Sequence, residues 1–378
     1  MERDQATSFI TDLLKLMVSR GGSDLFITAD FPPAIKVDGK VTKVSPQPLN
    51  GSHTVALARS IMSDKQVAEF ERTKECNFAI APPSLGRFRV SAFMQQGKVG
   101  MVLRTIPNVI PTIDGMKLPP VLKEIVSTKR GLCIIVGATG SGKTTTLAAL
   151  VDWRNETSFG HIITVEDPIE FVHAHKNCVV TQREVGIDTD SWGAALKNTL
   201  RQAPDVILMG EIRDRETMEH AVAFAETGHL CLATLHANSA NQALDRIINF
   251  FPEERRAQLL MDLSLNLKSM VSQRLIPKQD GKGRYAVVEI MINSPLISDL
   301  IFKGEVAEIK EIMKKSRQMG MQTFDQALFD AFESNTITYE DALRNADSVN
   351  DLRLQIKLNS QRVKHQDLAA GTENMTLM

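Results

Sequence analysis

The sequence predicts an α/β protein, in which a small α+β domain precedes a larger domain built on a parallel sheet. Before residue 106, strand and helix patterns are mixed without strand–helix–strand alternation. After residue 120 the two patterns alternate, and a glycine-rich loop there joins one strand to one helix. The 378 residues suit two or three domains, each with its own core. The formal charge of 44 − 45 = −1 and the hydrophobic fraction of 43% exclude a disordered chain and a generally basic nucleic-acid binder.

The first domain begins with an amphipathic helix and continues mainly in strands. The apolar stripe of that helix ends before a glycine pair, and a second helix is predicted over residues 54–70. Asp38-Gly39 suits the tight turn of a hairpin. The stripe consists of Phe9, Ile10, Leu13, Leu14 and Met17. Strands are predicted at 24–28, 34–44 (the hairpin), 75–81, 87–94 and 98–105.

A proline-rich segment separates the two domains. Residues 107–120 contain four prolines and no helical or strand period, which is typical of a linker. Periodicity is lost again near residue 354, which predicts a disordered tail. The predicted division is an N-terminal domain at 1–106, a linker at 107–120, an α/β domain core at 121–293, a helical C-terminal segment at 294–355 and a tail at 356–378.

Strand and helix patterns alternate beyond the linker, as in a parallel sheet with crossover helices. Asp214 is the N-cap of one predicted helix, and Gly228 ends it. From residue 253 the pattern is mostly helical, until a strand at 285–293. One face of that helical stretch carries Leu260, Leu263, Leu267, Met270 and Val271. The parallel strands are predicted at 131–136, 161–165, 206–209 and 230–234.

The sequence contains no pattern typical of a membrane span, a signal peptide or a zinc site. No window approaches the roughly 18 apolar residues of a span, and the first residues lack an uninterrupted apolar stretch. We therefore expect a cytosolic protein. The cysteines stand about fifty residues apart without a CxxC pair, which predicts buried thiols rather than disulfides or metal ligands. They are Cys76, Cys133, Cys178 and Cys231.

One glycine-rich segment matches the pattern GxxxxGK[ST] in the context that the pattern requires, between an apolar strand and a helix. Its glycines let backbone N–H groups converge on a β-phosphate, and the helix N-terminus adds partial positive charge. Lys143 is expected to contact the β- and γ-phosphates, and the Thr144 hydroxyl to ligate Mg²⁺. The glycine order disfavours a Rossmann dinucleotide site. The predicted nucleotide-binding residues are Gly137, Ala138, Thr139, Gly140, Ser141, Gly142, Lys143, Thr144 and Thr145.

Reactive side chains follow each of the other three parallel strands. The second strand leads into Glu166, Asp167 and Glu170. The third leads into Glu211, and the fourth into His236. Carboxyl ends of parallel strands share one edge, where ligands bind. Hydrolysis of a γ-phosphate needs a carboxylate for water and a polar contact for Mg²⁺ or its waters, and Glu211 and Glu170 are the candidates. Which of the three acids after the second strand contacts a metal-bound water stays open.

Two histidines flank the fourth strand. His229 and His236 are seven residues apart and lie at opposite ends of that strand unless the chain bends. One of them is therefore expected to be structural or to belong to a subunit contact, and the other to sense a γ-phosphate.

Arginines occupy one face of the first domain. Arg87 and Arg89 alternate with apolar residues on one strand, and Arg104 lies on the next. This face is either solvated, or it closes over a nucleotide and supplies positive charge to the transition state.

Four ordered segments resemble the motifs of the secretion and type IV pilus ATPases. GATGSGKTTT resembles the Walker A motif, VEDPIEF the aspartate box, LRQAPDVILMGEIRDRET the Walker B motif and ETGHLCLATLHANSANQALDRI the histidine box. The resemblance covers residues 5–345. It implies a PAS-like N-terminal domain, a RecA-like P-loop ATPase domain and a ring-shaped homohexamer at the cytoplasmic face of the inner membrane.

The resemblance also implies the role of individual residues. It makes Glu211 the catalytic glutamate and Glu170 its partner, and it implies ATP and Mg²⁺ as cofactors. The metal would be held by Thr144, Glu170 and Glu211, directly or through water. The implied catalytic residues are Glu211, Glu170, Arg89, Arg104, His236 and His229.

Within this family the sequence is similar to the retraction branch, the PilT/PilU ATPases, and most of all to the PilU type. With one domain predicted before the phosphate loop and no CxxC pair, we expect neither the extra N-terminal domain nor the tetracysteine site of extension ATPases. Its segment EIKEIMKK at 308–315 differs from the PilT-type motif AIRNLIRE. The expected function is a hexameric ATPase that powers pilus retraction through an inner-membrane platform protein, together with a PilT-type motor.

Three alternatives remain. The first is an accessory ATP-binding subunit with little turnover of its own, which the altered segment favours. The second is a secretion or extension ATPase. The third is a RecA-like DNA motor, which the charge and the presence of only two Trp and two Tyr oppose.

Overall fold

The computed structural model describes residues 2–37, 39–106 and 109–364. The chain divides into two compact units, Met1–Val109 and Ile110–Met378.

The first unit is a six-stranded antiparallel sheet with three helices. Its strands run in the order β3-β2-β1-β6-β5-β4. The apolar stripe of the first helix, including Ile10, Leu14 and Met17, is buried in one core with residues of the sheet. The helices are α1 (Arg3–Ser19), α2 (Gly51–Ile61) and α3 (Asp64–Thr73). The strands are β1 (Asp24–Ile27), β2 (Ala34–Val37), β3 (Lys40–Lys43), β4 (Glu75–Ile80), β5 (Arg87–Gln95) and β6 (Lys98–Ile106).

The first unit differs from the prediction in one helix and agrees with it in the hairpin. The single helix predicted at 54–70 is wrong, because Ser63 and Gln66 form a capping box that starts α3 as a separate helix. The predicted hairpin is confirmed by the pairing of Val37 with Lys40. Asp38, half of its predicted turn, lies outside the described residues.

The second unit is a seven-stranded sheet covered by helices. The strands are β7 (Gly131–Val136), β8 (Gly160–Glu166), β9 (Cys178–Glu184), β10 (Val206–Met209), β11 (Leu230–Leu235), β12 (Leu267–Pro277) and β13 (Arg284–Ile292). The helices of the sheet region are α4 (Val121–Val126), α5 (Lys143–Thr157), α6 (Trp192–Thr199), α7 (Arg215–Glu226), α8 (Ala240–Asn249) and α9 (Glu253–Asn266). Those that follow are α10 (Pro295–Lys303), α11 (Ile309–Lys315), α12 (Phe324–Glu333), α13 (Tyr339–Arg344), α14 (Val349–Asn359) and α15 (Gln361–Lys364). Short 3-10 helices occur at Leu200–Gln202, Val306–Glu308 and Arg317–Met319.

The sheet order is β13-β12-β7-β11-β10-β8-β9, and each pairing except that of β13 is parallel. The four predicted parallel strands are confirmed as neighbours in its centre. Both faces are buried, since Leu132 and Ile134 of β7 belong to one core and Cys133 and Ile135 to another. The carboxyl ends of these strands therefore share one edge.

The helical face predicted beyond residue 260 is partly wrong. Helix α9 ends at Asn266, and Leu267, Met270 and Val271 belong to β12. This strand lies between β7 and β13 and is buried on both faces, so its apolar residues do not alternate. A short apolar run without alternation is indistinguishable by period from a buried helix.

The C-terminal helices pack on the end of the sheet. Ile276 of β12 and Val287 of β13 share a core with α12 and α14, including Leu352 and Ile356. The disorder predicted for 356–378 therefore does not begin at 356, because α14 and α15 continue the helical structure to Lys364. The rest of the predicted tail, 365–378, lies outside the described residues.

The predicted burial of the cysteines is confirmed, since all four are buried free thiols. Burial raises the pKa of Cys133 to about 11, which keeps this thiol protonated and unreactive at neutral pH. Of the helices in the described part of the chain, none has the length and apolar character needed to cross a membrane.

Candidate functional site

A phosphate-binding loop joins β7 to α5 at the carboxyl edge of the sheet. Two of its residues require a left-handed backbone, with φ of 76° at Gly140 and 86° at Gly142. Glycine is also needed for space, since a Cβ on Gly142 would lie 2.7 Å from Nε2 of Gln273. Gly142 is the N-cap of α5, so no side chain at that position covers the first N–H groups of the helix. The loop thus presents backbone donors and a helix N-terminus to an anion.

Lys143 is the first residue of α5 and is only 7% exposed. Its Nζ donates to the carbonyl oxygens of Gly137 and Ala138 at 2.8 and 3.0 Å. Burial lowers the pKa of Lys143, and the Glu211 carboxylate acts in the opposite direction. The ammonium group is therefore held over the loop, where a phosphate would replace the two carbonyl groups as its partner.

His236 connects this lysine to the predicted catalytic carboxylate. Its Nδ1 lies 3.4 Å from Lys143 Nζ, and its Nε2 lies 3.3 Å from Glu211 Oε1. Burial, and next the charge of Lys143, lower the pKa of His236, so the imidazole is neutral at pH 7. A neutral ring accepts from Lys143 at Nδ1, and its Nε2 stays in contact with the Glu211 carboxylate. The structure thus brings together three residues that the sequence predicts from three separate strands.

Arg213 holds the other side of this carboxylate. Its Nε donates to Glu211 Oε2 at 2.9 Å, and its Nη1 donates to Asp167 Oδ2 at 3.2 Å. The hydrogen bond to Glu211 raises the pKa of Arg213. Sequence reasoning missed this arginine, although its place two residues after Glu211 in an extended segment is the signal that could have found it.

The three acids that follow β8 have different surroundings. Glu166 is 8% exposed and accepts at Oε1 from Thr164 Oγ1 at 2.7 Å. Burial raises the pKa of Glu166, and the charge of Glu170 adds to this shift. Glu166 is therefore buried in the protein interior. Asp167, in contrast, contacts Arg213, and Glu170, three residues further along the same loop, is half-buried. Which of Asp167 and Glu170 contacts a metal-bound water stays a prediction.

His229 does not join this cluster. It precedes β11 while His236 follows it, and a six-residue strand separates their positions by roughly 20 Å. The backbone N–H of His229 donates to the Phe224 carbonyl, and its Nδ1 lies 3.0 Å from Thr227 Oγ1. The expectation that the two histidines lie at opposite ends of the strand is confirmed. Within one chain these contacts hold His229 at the end of α7, and its implied catalytic role stays a prediction.

The arginines of the first unit face each other across two strands. Arg89 of β5 is paired in register with Arg104 of β6. Arg104 Nε donates to Asp24 Oδ1 at 2.7 Å. Although burial alone would raise it, the pKa of Asp24 is lowered by this arginine. Within its own unit Arg104 therefore stabilises a buried carboxylate, and its role at the nucleotide stays a prediction.

Gln273 of β12 is the second functional residue that sequence reasoning missed. Its side-chain amide accepts from Thr146 Oγ1 at 2.7 Å and donates to the Ser141 carbonyl at 2.8 Å. It therefore connects the first turn of α5 to the middle of the phosphate loop. The sequence carries no local signal for this contact, because Gln273 lies 132 residues from Ser141.

A cavity of about 710 Å³ opens beside the loop, between Gly142 and Thr145 on one side and Arg284 and Tyr285 on the other. Its volume suits a nucleoside. The Thr144 side chain is exposed at the start of α5, and together with the carboxylate of Glu211 it provides the oxygen ligands that Mg²⁺ prefers. The residues present thus fit a magnesium–nucleotide complex.

The lowered pKa of His236 leads to a titration test. We expect the imidazole to protonate with a midpoint below 6.5, its ordinary value. Its contribution to the free energy of unfolding is then complete above pH 6.5 and is lost as the pH falls through the lowered midpoint. NMR of ring-labelled histidine measures the midpoint, and the resonance that His236→Gln removes identifies the residue. A midpoint at or above 6.5 would contradict the proposed neutral ring.

Comparison with known proteins identifies the family. The model of the family described as "Type II/IV secretion system protein" matches residues 7–344. The type IV pilus ATPase PilU of Pseudomonas aeruginosa is 62% identical over 349 residues, which are 92% of this chain and 91% of that protein. PilT of the same organism, a type IV pilus retraction ATPase, is 44% identical over 89% of this chain and 98% of its own length.

A solved structure has the same fold. The crystal structure of the pilus retraction motor PilT with bound ADP superposes with a TM-score of 0.85 at 38% identity, over 91% of this chain and 98% of that one. The predicted fold class, an N-terminal α+β domain and a RecA-like ATPase domain with a helical C-terminal segment, is confirmed. The chain belongs to the type II/IV secretion system protein family and, within it, to the PilT/PilU branch of type IV pilus ATPases.

Proposed function

We propose that this chain hydrolyses ATP at the phosphate loop and uses the energy to retract type IV pili. The single observation that carries the proposal is the continuous contact from Lys143 through His236 to Glu211. It joins the residue expected to bind phosphate to the residue expected to activate water. Such a connection suits an enzyme in which the catalytic carboxylate must respond to a bound γ-phosphate.

The chemistry follows from the contacts of these side chains. ATP would take Lys143 from its two loop carbonyls, and the N-terminus of α5 would stabilise the phosphate charge. The Glu211 carboxylate accepts a hydrogen bond from Arg213 at Oε2, and its Oε1 lies 3.3 Å from His236 Nε2. Since a carboxylate has about four acceptor positions, it can still orient a water and take its proton. Mg²⁺, held by Thr144 with Glu211 and Glu170 directly or through water, supplies neutralising charge when bound.

His236 is proposed to sense the γ-phosphate. When the Lys143 ammonium group moves to the phosphate, Nδ1 of His236 loses its hydrogen-bond donor. The phosphate then becomes a new partner for the ring. The contact of Nε2 with Glu211, at 3.3 Å, then changes with it. The position of the carboxylate thereby depends on the nucleotide.

The proposed assembly extends beyond the single chain. PilU and PilT of Pseudomonas aeruginosa are named as pilus ATPases, and the shared fold supports the same setting here. We place the chain in a homohexamer at the cytoplasmic face of the inner membrane, where it acts on a platform protein together with a PilT-type ATPase. Arg89 and Arg104 are proposed to contribute positive charge at the nucleotide in that assembly.

A second candidate function is an accessory subunit that binds ATP and turns over little of it alone. The observation that favours it is α11, where the sequence IKEIMKK differs from the PilT-type retraction motif.

The experiment that separates the two functions is steady-state hydrolysis of Mg-ATP at concentrations where a hexamer is populated. It is run with the purified protein alone, and then with a PilT-type ATPase whose own catalytic glutamate is replaced. Turnover by the protein alone indicates an autonomous motor. Binding without turnover until the partner is added indicates an accessory subunit. Absence of nucleotide binding would contradict both.

A further inference from the structure

We propose that Gln273 is a positioning residue for the nucleotide, one that sets the orientation of the phosphate loop through the Ser141 peptide. The proposal rests on nucleotide binding at the loop as described under the proposed function. It adds a residue from outside the four sequence motifs, on a strand more than 120 residues further along the chain.

The sheet places Gln273 directly beside the loop. In the register of the parallel pair, Ser272 of β12 stands opposite Val136, the last residue of β7. Gln273 is the next residue of β12, and Gly137 is the first residue of the loop. A Cβ on Gly137 would lie 2.8 Å from the Gln273 carbonyl oxygen. Strand β12 therefore forms one wall of the loop.

The amide of Gln273 has one possible orientation. The Ser141 carbonyl oxygen can only accept, so the amide NH₂ must face it, at 2.8 Å. The amide oxygen is then left for the Thr146 hydroxyl, at 2.7 Å. Gln273 is 3% exposed and Thr146 is 0% exposed, so water does not compete for these bonds. Hydrogen bonds buried in this way restrict the loop more than exposed ones do.

The hydrogen bond to Ser141 determines where the next N–H points. In a trans peptide the C=O of one residue and the N–H of the following residue point in opposite directions. Since Gln273 holds the Ser141 carbonyl toward β12, the N–H of Gly142 points away from that strand, into the phosphate loop. The bond from Thr146 fixes the first turn of α5, which carries Lys143 and Thr144. The Gln273 side chain thus orients both the backbone donors of the loop and the residues of the first helical turn before the nucleotide binds.

Preorganisation of the loop raises its affinity for the nucleotide, because an ordered loop does not lose further conformational freedom when the nucleotide binds. Replacing Gln273 with leucine keeps a similar volume and removes both hydrogen bonds. We expect the dissociation constants for ATP and ADP to rise about tenfold, which corresponds to one hydrogen bond. A purely structural role would lower the unfolding temperature and leave the affinity of the folded protein unchanged.

The matched control is Gln322→Leu. Gln322 is a partly buried glutamine whose Nε2 donates to the Val288 carbonyl at 2.8 Å, on the strand at the opposite side of β12 from the loop. This variant loses a similar bond from a glutamine to a strand. We expect its affinity for ATP and ADP to stay within about twofold of the wild type.

The test uses full-length protein, with calorimetric titration of ATP and ADP and with thermal unfolding of the nucleotide-free chain. Should Gln273→Leu not fold, Thr146→Val removes only the bond to the amide oxygen and is measured in its place. If both variants fold, the double variant should raise the dissociation constant by less than the product of the single effects, since the two share one bond. Wild-type affinity in a folded Gln273→Leu or Thr146→Val variant would overturn the proposal.

Failure of the proposed function gives a different result. A wild type that binds nucleotide without any turnover, alone or with a partner, contradicts the proposed hydrolysis. The comparison of Gln273 variants still stands in that case, because it uses affinity alone. A wild type that binds no nucleotide would overturn both proposals.

Discussion

Lys143→Ala is expected to abolish productive ATP binding. The lysine is buried, with its ammonium group on two carbonyl oxygens of the loop, so the variant removes the one charged side chain of residues 137–145. Hydrogen bonds to charged groups contribute about 1.5–3 kcal/mol each, so loss of its phosphate contacts raises the dissociation constant by at least roughly 100-fold. Calorimetric titration with Mg-ATP measures the change.

The matched control for this variant is Lys303→Ala. Lys303 lies on the surface of α10 and pairs with Asp299 four residues earlier. Exposed pairs of this kind contribute little, so both affinity and stability should stay near those of the wild type. If Lys143→Ala bound ATP within about threefold of the wild type, the assignment of the loop as the phosphate site would be wrong.

Glu211→Gln is expected to keep ATP binding and to stop hydrolysis. Glutamine has the shape of glutamate and can still contact His236 and Arg213, but its amide cannot take a proton from water. Loss of a general base typically costs a factor of about 10² to 10⁴ in turnover. Release of inorganic phosphate under saturating Mg-ATP measures the loss, and titration of the same sample measures binding.

The control for the carboxylate is Glu219→Gln on α7. Glu219 pairs with Arg215, four residues earlier on the same helix, and both side chains are exposed. Its turnover should equal that of the wild type. Retained turnover in Glu211→Gln would contradict its catalytic role and direct attention to Asp167 and Glu170 instead.

Local sequence was sufficient for the strand, loop and helix that build the phosphate site. An apolar strand, two glycines at positive φ and a helix without an N-cap side chain lie within one continuous segment, and short-range sterics and hydrogen bonds determine all three. The rule that ligands gather at the carboxyl ends of parallel strands then placed Glu211 and His236 correctly at the same edge. Directions of the strands alone also placed His229 at the other end.

Other contacts could not be read from local patterns. Strand β12 is buried on both faces, so its period is the same as that of a buried helix, and Gln273 was missed with it. Glu166, Asp167 and Glu170 are neighbours in one short segment, and only their surroundings separate the buried acid from the two others. Arg213 lies only two residues from Glu211, but its second contact, with Asp167, joins segments 46 residues apart.

The fold class, the phosphate loop and the edge of the sheet at which the chemistry lies can be predicted from local sequence. They depend on residues within a few positions of one another and on the direction of parallel strands. The side chains that complete the site are known only once the strands have taken their places in the sheet. The contacts of Gln273 with Ser141 and of His236 with Lys143 join segments 132 and 93 residues apart. They exist because the sheet places β12 and β11 on the two sides of β7, and no local pattern in a sequence specifies which strands become neighbours.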